Sequence, residues 1–552
     1  MKPASKVIEV NFEELEALLE RARQGPLGGK DYRKLEAAIH TLSHLIELIG
    51  EKETTISRLG ALLIKPSTEK TRKVLEQAGL PTPPPSGSSP PPSGSDCGNQ
   101  KKKPGHGRHG AEAYRGAQRI EVAHASLKPG DGCPECAQGK VYRQEDPALR
   151  IRVVGQAPLQ ATVYEVERLR CNLCGVLFEA KAPEGVGEKK YDESAAAMIG
   201  LLKYGSGVPF YRLAGLEGNL GMPLPRATQW GIVRETSEVI RPAYEELIRQ
   251  VAQGEVLYNN DTAMKILALA RASPRSAEVD EEASDPRLRT GQFTSGIVST
   301  QQGQRIALFF TGRRHAGENL AQVLARRGAG LTAPIQMCDA LSRNLPKLPK
   351  PLETIVGNCL AHARRYFVDV VPNFPEQCRY VLESLGKVYG YNAEAEARGL
   401  SPEERLRFHQ EHSQPVMDQL HAWLRTQFDE KRVEPNSGLR TAIAYVLRRW
   451  DRLTLFLRQA GAPLDSNIVE RALKKAILHR RNSLFYKTEN GAEVGDLFMS
   501  LIHTCELNEA NPFDYLTELQ KHSAEQAKHP AAWMPWNYRE TLQHTSTSAD
   551  SA

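Results

Sequence analysis

Apolar positions repeat at helical spacing through the first part of the chain. Leu35, Ile39, Leu42, Ile46 and Ile49 alternate steps of four and three, and Ile56 and Leu63 continue one of the two seam positions. Glu53 and Gly60 interrupt the other seam. Residues 8–78 therefore read as helical, either packed on their own chain or paired as a short coiled coil. Residues 192–252 again follow a helical period. From residue 255 the pattern shortens to strand-like runs: EVLYNNDTAMKILALA, FTSGIVST, RIALFFTG and TAPIQMCDALSRN. TIVGNCLAHARRYF is a strand turning into a helix, and residues 370–460 are almost wholly helical in pattern. Residues 461–482, GAPLDSNIVERALKKAILHRRN, predict a helix capped by Asp465, Ser466 and Asn467. Its buried face would carry Ile468, Val469, Leu473, Ala476 and Ile477. Glu470 shares that apolar edge, and a block of positive charge follows it.

PTPPPSGSSPPPSGSD, residues 81–96, breaks the helical pattern. Seven of its sixteen residues are proline and most others are Ser or Gly, so it can bury almost nothing and serves as a linker. A chain of 552 residues exceeds one core, so several domains are expected. The divisions fall at 1–80 (helical), 81–100 (linker), 101–190 (basic arm and cysteine module) and 191–253 (helical), then at 254–520 and the tail 521–552. The fold class is multidomain α+β.

Composition is that of a water-soluble chain, 40% hydrophobic and 25% charged, with no apolar run of the ~20 residues that span a bilayer. MKPASKVIEVNFEELEALL lacks the apolar region of a signal peptide, so export is not expected. Net charge is only +6, but it is unevenly spread. KKKPGHGRHGAEAYRGAQR, residues 101–119, is a basic Gly-rich arm, and Lys101, Lys102 and Lys103 are candidate phosphate contacts.

Nine cysteines in a chain with no export signal point to reduced thiols or metal ligands. CPEC and CNLC supply Cys133, Cys136, Cys171 and Cys174, two knuckles able to close one tetrahedral Zn²⁺ site. The 34 residues between them are longer than the commonest spacing and contain β-rich pieces such as ATVYEVERL, which suit a zinc ribbon. The other reading is four unrelated buried or redox-active cysteines. PFYRLAGLEGNL, GMPLP and RATQWGIVRETSEVI have the spacing of a helix-turn-helix. Arg226, Thr228 and Gln229 would then open a base-reading helix; a plain helical hairpin has the same pattern.

Asp261 on a first strand, Asp339 at a later strand end and Glu470 on a following helix form an ordered set of acids. Converged, they would repel unless divalent cations held them. Two Mg²⁺ (or Mn²⁺) ions would suit phosphodiester chemistry. Against this, Glu470 lies three residues after Asn467 and could complete a capping box, or pair with Lys474 one turn on. Asp261 and Asp339 could be ordinary turn acids.

The segment from about 255 to 540 resembles the transposases of the insertion-sequence-66 family, of the acidic-triad (DDE) class. The resemblance is carried by NNDT at 259–262, PIQMCDALSRN at 334–344, NCLAHARRYF at 358–367 and APLDSNIVERALKKAILHRRNSLF at 462–485. GAEVGDLFMSLIHTCELNEANPFDYL at 491–516 and WMPWN at 533–537 complete it. It implies a ribonuclease-H-like core with a helical insertion at about 370–460, and Asp339 and Glu470 as metal ligands; Asp261 is read as the third. It implies Mg²⁺-dependent cleavage at the terminal inverted repeats of a mobile element and joining to target DNA, by a homo-oligomer in a bacterial cytoplasm, associated with the nucleoid. Small accessory proteins of the same element are possible partners. His362, Arg364, Arg365, Lys474, Lys475, Arg480 and Arg481 are candidates to hold DNA phosphates.

The chain departs from the family pattern at two places. The family carries two adjacent acids before the threonine, whereas this chain has Asn260 and Asp261. Neighbours on a strand face opposite sides, so the two cannot substitute freely for each other. Asn260 therefore keeps a second reading in view, a catalytically inactive DNA-binding protein with the same fold. Asp465-Ser466-Asn467 replaces the family's Asp-Asn-Asn, and serine caps well enough for little effect.

Overall fold

The computed structural model describes residues 189–272 and 289–549 continuously, 156–170, and most of 125–143 and 172–181. It also describes isolated positions elsewhere, such as Leu35, Thr71, Val74 and Leu75. The basic arm with Lys101, Lys102 and Lys103, the proline-rich linker, Cys171 and most of the expected N-terminal helical repeat lie outside the described residues. The chain divides into two compact units: Pro84–Lys189 with Tyr211–Arg226, and Met1–Pro83, Lys190–Phe210 and Ala227–Ala552.

In the smaller unit, strands β1 (Arg168–Arg170) and β2 (Leu177–Glu179) pair antiparallel, Leu169 opposite Phe178. A second ribbon surrounds CPEC. Cys133 N–H donates to the Gly139 carbonyl at 2.7 Å, Gly130 N–H to Val141 at 2.8 Å, and Gly132 bridges Lys140.

The larger unit holds a five-stranded sheet of β3 (Val256–Ala263), β4 (Phe293–Gln301), β5 (Gln304–Gly312), β6 (Ile335–Cys338) and β7 (Ile355–Asn358). Its spatial order is β5-β4-β3-β6-β7. The pairs β3–β4 and β4–β5 are antiparallel, while β3–β6 and β6–β7 are parallel. The first five positions of β3 and all of β6 are buried, as central strands covered on both faces must be. The β4–β5 hairpin turns on Gln302 and Gly303, both at positive φ (49° and 83°), the two-residue turn whose twist matches that of the strands.

Before the sheet come α1 (Glu193–Gly200), α2 (Phe210–Asn219), α3 (Arg226–Val239) and α4 (Arg241–Ala252). Helix α5 (Ala316–Leu324) follows β5. After β7 the chain is helical: α6 (Leu360–Val370), α7 (Pro375–Ala397), α8 (Pro402–Asp429) and α9 (Gly438–Arg448). Phe367, Leu385, Met417, Leu424 and Val446 share one apolar core. Leu360 N–H donates to the Leu464 carbonyl at 3.0 Å, so the chain returns beside its point of departure. It then enters α10 (Asn467–Ser483), α11 (Glu489–Leu507) and α12 (Pro512–Lys521).

Helix α11 seals the β5 edge with a polar stripe. Asp496, Ser500, Thr504 and Asn508, each four residues apart, accept from the backbone N–H groups of Thr311, Phe309, Ala307 and Arg305 at 2.6–3.1 Å. Four helical residues rise about 6 Å and two strand residues about 6.6 Å, so the two repeats stay in step. An edge that would otherwise recruit another strand is thereby paired. Among the described residues no helix is long and apolar enough to cross a membrane.

Candidate active site

Strand alternation divides the NNDT segment between the two faces of the sheet. Asn260 lies opposite Gly296 of β4. A Cβ at Gly296 would meet Leu473 at 3.0 Å and Val469 at 3.3 Å, so glycine lets α10 lie close on this face. Val469, Ala472, Leu473 and Ala476 are buried there, whereas Ile468 and Ile477, expected with them, are half-buried. Glu470 then reaches Asn260, whose Nδ2 donates to Glu470 Oε1 at 2.5 Å. Asn260 Oδ1 accepts from Asp261 N–H at 2.8 Å, which fixes which end of the amide faces the carboxylate.

Asp339 follows β6 directly, beside the same end of β3. Asn344 Nδ2 donates to Asp339 Oδ1 and, at 3.3 Å, to Asn260 Oδ1. A buried amide network holds Asn344 in place. Its carbonyl accepts from Asn259 Nδ2 at 2.7 Å and from Gln336 Nε2 at 2.9 Å, and Gln336 also donates to Asn259 Oδ1 at 3.0 Å. His362, in the first turn of α6, places Nε2 3.7 Å from Glu470 Oε1. Burial, then the Asp339 charge, pushes the Cys338 thiol up to about 12. Asn260, Asp339, Glu470 and His362 thus meet where the parallel strands end, the usual place for a site in such a sheet.

Asp261 faces the other side. Its side chain is 1% exposed, with His315 Nδ1 3.1 Å from Oδ2 and Arg343 3.3 Å from Oδ1. His315 caps α5, which covers this face, and Asn319 of α5 donates to Ser295 Oγ at 2.9 Å. The structure therefore brings Asp339 and Glu470 together with Asn260, and turns Asp261 toward His315 and Arg343.

The other expected contacts differ in exposure and in partners. Lys474, Arg481, Arg365 and Arg226 are exposed and Thr228 is half-buried. Lys475 binds Glu506 at 2.7 Å, Arg480 binds Thr262 Oγ1 and the Ala263 carbonyl, and Arg364 binds Thr71 Oγ1 at 3.2 Å. Gln229 corrects the base-reading expectation. It is fully buried and donates to the Phe210 carbonyl at 3.0 Å, because its turn of α3 faces the core. The capping-box alternative for Glu470 also differs from what is found. Ser466 is the N-cap residue without a side-chain bond, Asn467 is the first helical residue, and Glu470 is bonded to Asn260 instead.

Asn344, His315 and Arg343 were not singled out from sequence. Their signal was the polar Ser-Arg-Asn run just after Asp339, and a histidine placed where a helix begins.

A pair of divalent cations does not fit the donor set as arranged. Among the described residues two carboxylates face the pocket, the Asn260 carbonyl oxygen already accepts two donors, and both carboxylates accept amide N–H groups. Among the described residues no group of three or more His, Cys, Asp or Glu side chains is placed to hold a metal.

In the smaller unit, Gly139 N–H donates to Cys136 Sγ at 3.4 Å. Backbone N–H bonds, from Gln138 first and then Gly139, hold the Cys136 thiol below its usual range, with Cys133 adding to them. Cys136 and Cys174 are exposed and Cys133 is half-buried.

Residues 189–494 match the model of a family described as "Transposase IS66 family". Three proteins of Sinorhizobium fredii (strain NBRC 101917 / NGR234) are similar. The uncharacterized protein y4jD is 28% identical over 433 residues, 75% of this chain and 79% of that one. The uncharacterized protein y4qI is 27% identical over 456 residues, 80% and 79% of the two chains. The uncharacterized protein y4hP is 24% identical over 443 residues, 76% of each. With more than half of its length matched by the family model, this chain belongs to the IS66 family of transposases.

Proposed function

We propose that the chain serves an insertion sequence as its DNA transposase, engaging the terminal inverted repeats and the target DNA at the pocket of Asp339 and Glu470. The observation that carries this reading is the meeting of residues 260, 339 and 470, from three distant segments, at one end of the parallel strands. The strand order, with β4 antiparallel to both neighbours, supports reading the sheet as a ribonuclease-H-like core.

Helix geometry gives the pocket a basic approach. Glu470, Lys474 and Arg481 fall within about 40° of one another around α10, so one stripe runs from the carboxylate through two exposed cations. Lys474 and Arg481 hold phosphates along this stripe, and Arg365 and His362 do so from α6. The carboxylates of Asp339 and Glu470 face the phosphodiester to be cut or joined.

In the smaller unit, Cys133, Cys136, Cys171 and Cys174 hold one structural Zn²⁺. The thiol-directed N–H of Gly139, which favours thiolate, the bridge beside CPEC and the strands flanking CNLC support this. Zinc here shapes a DNA-contacting module that follows the basic arm in the sequence. The protein works as a homo-oligomer in a bacterial cytoplasm.

Binding to duplexes carrying the inverted repeats of the element, compared with scrambled duplexes, tests the reading. Preference for the ends, with Lys474→Ala and Arg481→Ala weakening both duplexes alike, supports it. Equal affinity for both duplexes in the unsubstituted protein overturns it. One observation favours a second reading, end binding without cutting: the amide at position 260.

A further inference from the structure

The carboxylates of the pocket are joined by a continuous chain of amides. Glu470 Oε1 accepts from Asn260 Nδ2, Asn260 Oδ1 accepts from Asn344 Nδ2, and Asn344 Nδ2 also reaches Asp339 Oδ1. Asn260 is 8% exposed and Asn344 fully buried, so the amide side of these bonds is shielded from water, while Asp339 and Glu470 are half-buried. The Asp261 N–H holds the Asn260 amide in this orientation, and the Gln336–Asn259 network holds the backbone of Asn344.

We infer that Asn260 makes this a locked pocket, one that holds its two carboxylates by amide hydrogen bonds and binds divalent cations weakly. The inference rests on the transposase reading for its consequence at DNA, and on the pocket alone for its consequence for cations.

The physical reason is charge. A neutral amide between two carboxylates relieves their repulsion by donating to one and linking to the other, so no cation is required to keep them together. An Mg²⁺ ion would have to break the Asn260–Glu470 bond and would gain an uncharged oxygen ligand in exchange. Asp261 cannot supply the missing charge, because it lies on the opposite face with His315 and Arg343. Exchanging the amide for a carboxylate reverses the balance. An acid at position 260 would put like charges about one hydrogen-bond length apart, and only a cation or a proton would settle them.

The consequence is a protein that grips DNA ends with a pocket poor in cation, and whose strand cleavage is limited by one side chain. Position 260 is the control point, and a single substitution should move it.

Thermal unfolding of the full chain provides the test, in chelator-free buffer so that thiolate-bound zinc is left alone. Unsubstituted protein, Asn260→Asp, and Asn260→Asp combined with Glu470→Gln are each compared with and without millimolar Mn²⁺ or Mg²⁺. Binding to the native state alone raises the midpoint, so the midpoint reports affinity without any reaction. The unsubstituted midpoint should move by less than about 1 °C, while that of Asn260→Asp should be lower without cation and rise by more than about 3 °C with it. Adding Glu470→Gln should remove most of that rise. Nicking of end DNA should rise at least tenfold in Asn260→Asp.

An unsubstituted midpoint that rises with cation as much as that of Asn260→Asp overturns the inference. So does an Asn260→Asp protein that folds and stays insensitive to cation. Failure of the transposase reading would appear separately, as loss of preference for end DNA with the cation response intact.

Discussion

Asn260 and Asp261 are neighbours on β3 that serve opposite faces of the sheet. Asn260 donates to Glu470 under α10, and Asp261 holds His315 and Arg343 under α5. The two side chains therefore answer to different partners, and their substitutions should separate.

Removing the Asp261 carboxylate should cost stability. It is almost fully buried, and its loss deprives His315, itself only 14% exposed, of this partner, while Arg343 stays 43% exposed. Asp261→Ala is expected to lower unfolding free energy by about 2–4 kcal/mol in denaturant titration. Glu470→Gln, at a side chain 37% exposed, should cost under about 1 kcal/mol. A neutral Asp261→Ala would sink the anchoring role given to it.

Gly317 in the first turn of α5 bears the loop that carries Asn344. A Cβ there would come within 2.5 Å of the Leu345 carbonyl oxygen and 2.8 Å of that of Arg343, both backbone atoms. Gly317→Ala should therefore destabilise by about 1–3 kcal/mol and displace the loop. Faster amide exchange in residues 341–346 would report the displacement. Unchanged stability and exchange would show that the loop has room to spare.

The α11 stripe should carry measurable stability. Thr504 accepts from Ala307 N–H and donates to the Ala307 carbonyl, and Ser500 accepts from Phe309 N–H. Ser500→Ala with Thr504→Val leaves buried backbone groups of β5 without partners. A loss of about 2–4 kcal/mol is expected, with a greater tendency to aggregate as the edge opens. Light scattering and denaturation of the double variant check both effects.

Asp496 should make stability depend on pH. Burial pushes its carboxyl up to about 7 despite the Thr311 bonds, and the Glu493 charge adds to the rise. An acid raised on folding contributes stability that is full below its unfolded pKa of about 4 and is lost as pH rises through about 7. Asp496→Asn keeps an acceptor for Thr311 and removes the charge. The gap in unfolding free energy between variant and unsubstituted protein should move in favour of the variant from pH 4 to pH 8, by about 4 kcal/mol at most. A gap that stays constant across this range would place the carboxyl in its ordinary range.

The sequence by itself determined the local elements and the alternation within them. The apolar period placed Val469, Leu473 and Ala476 on the buried side of α10, and the period of two required Asn260 and Asp261 to diverge. It also made the family legible, because the motifs that carry the resemblance are continuous runs of sequence that are read without reference to contacts. The helical period could not distinguish a core position from a reading position, and it left Gln229 on the wrong side. Only the tertiary structure decided which neighbour faces Glu470. That choice depends on α10 lying against Gly296, a contact between segments some 170 residues apart that no local pattern encodes. Asn344 reached the pocket in the same way, carried by loop closure and by the buried amides of Asn259 and Gln336, and Arg343 and His315 reached Asp261 on the other face. Periodicity reports which side of an element meets the core, while packing alone decides which side chain it meets there.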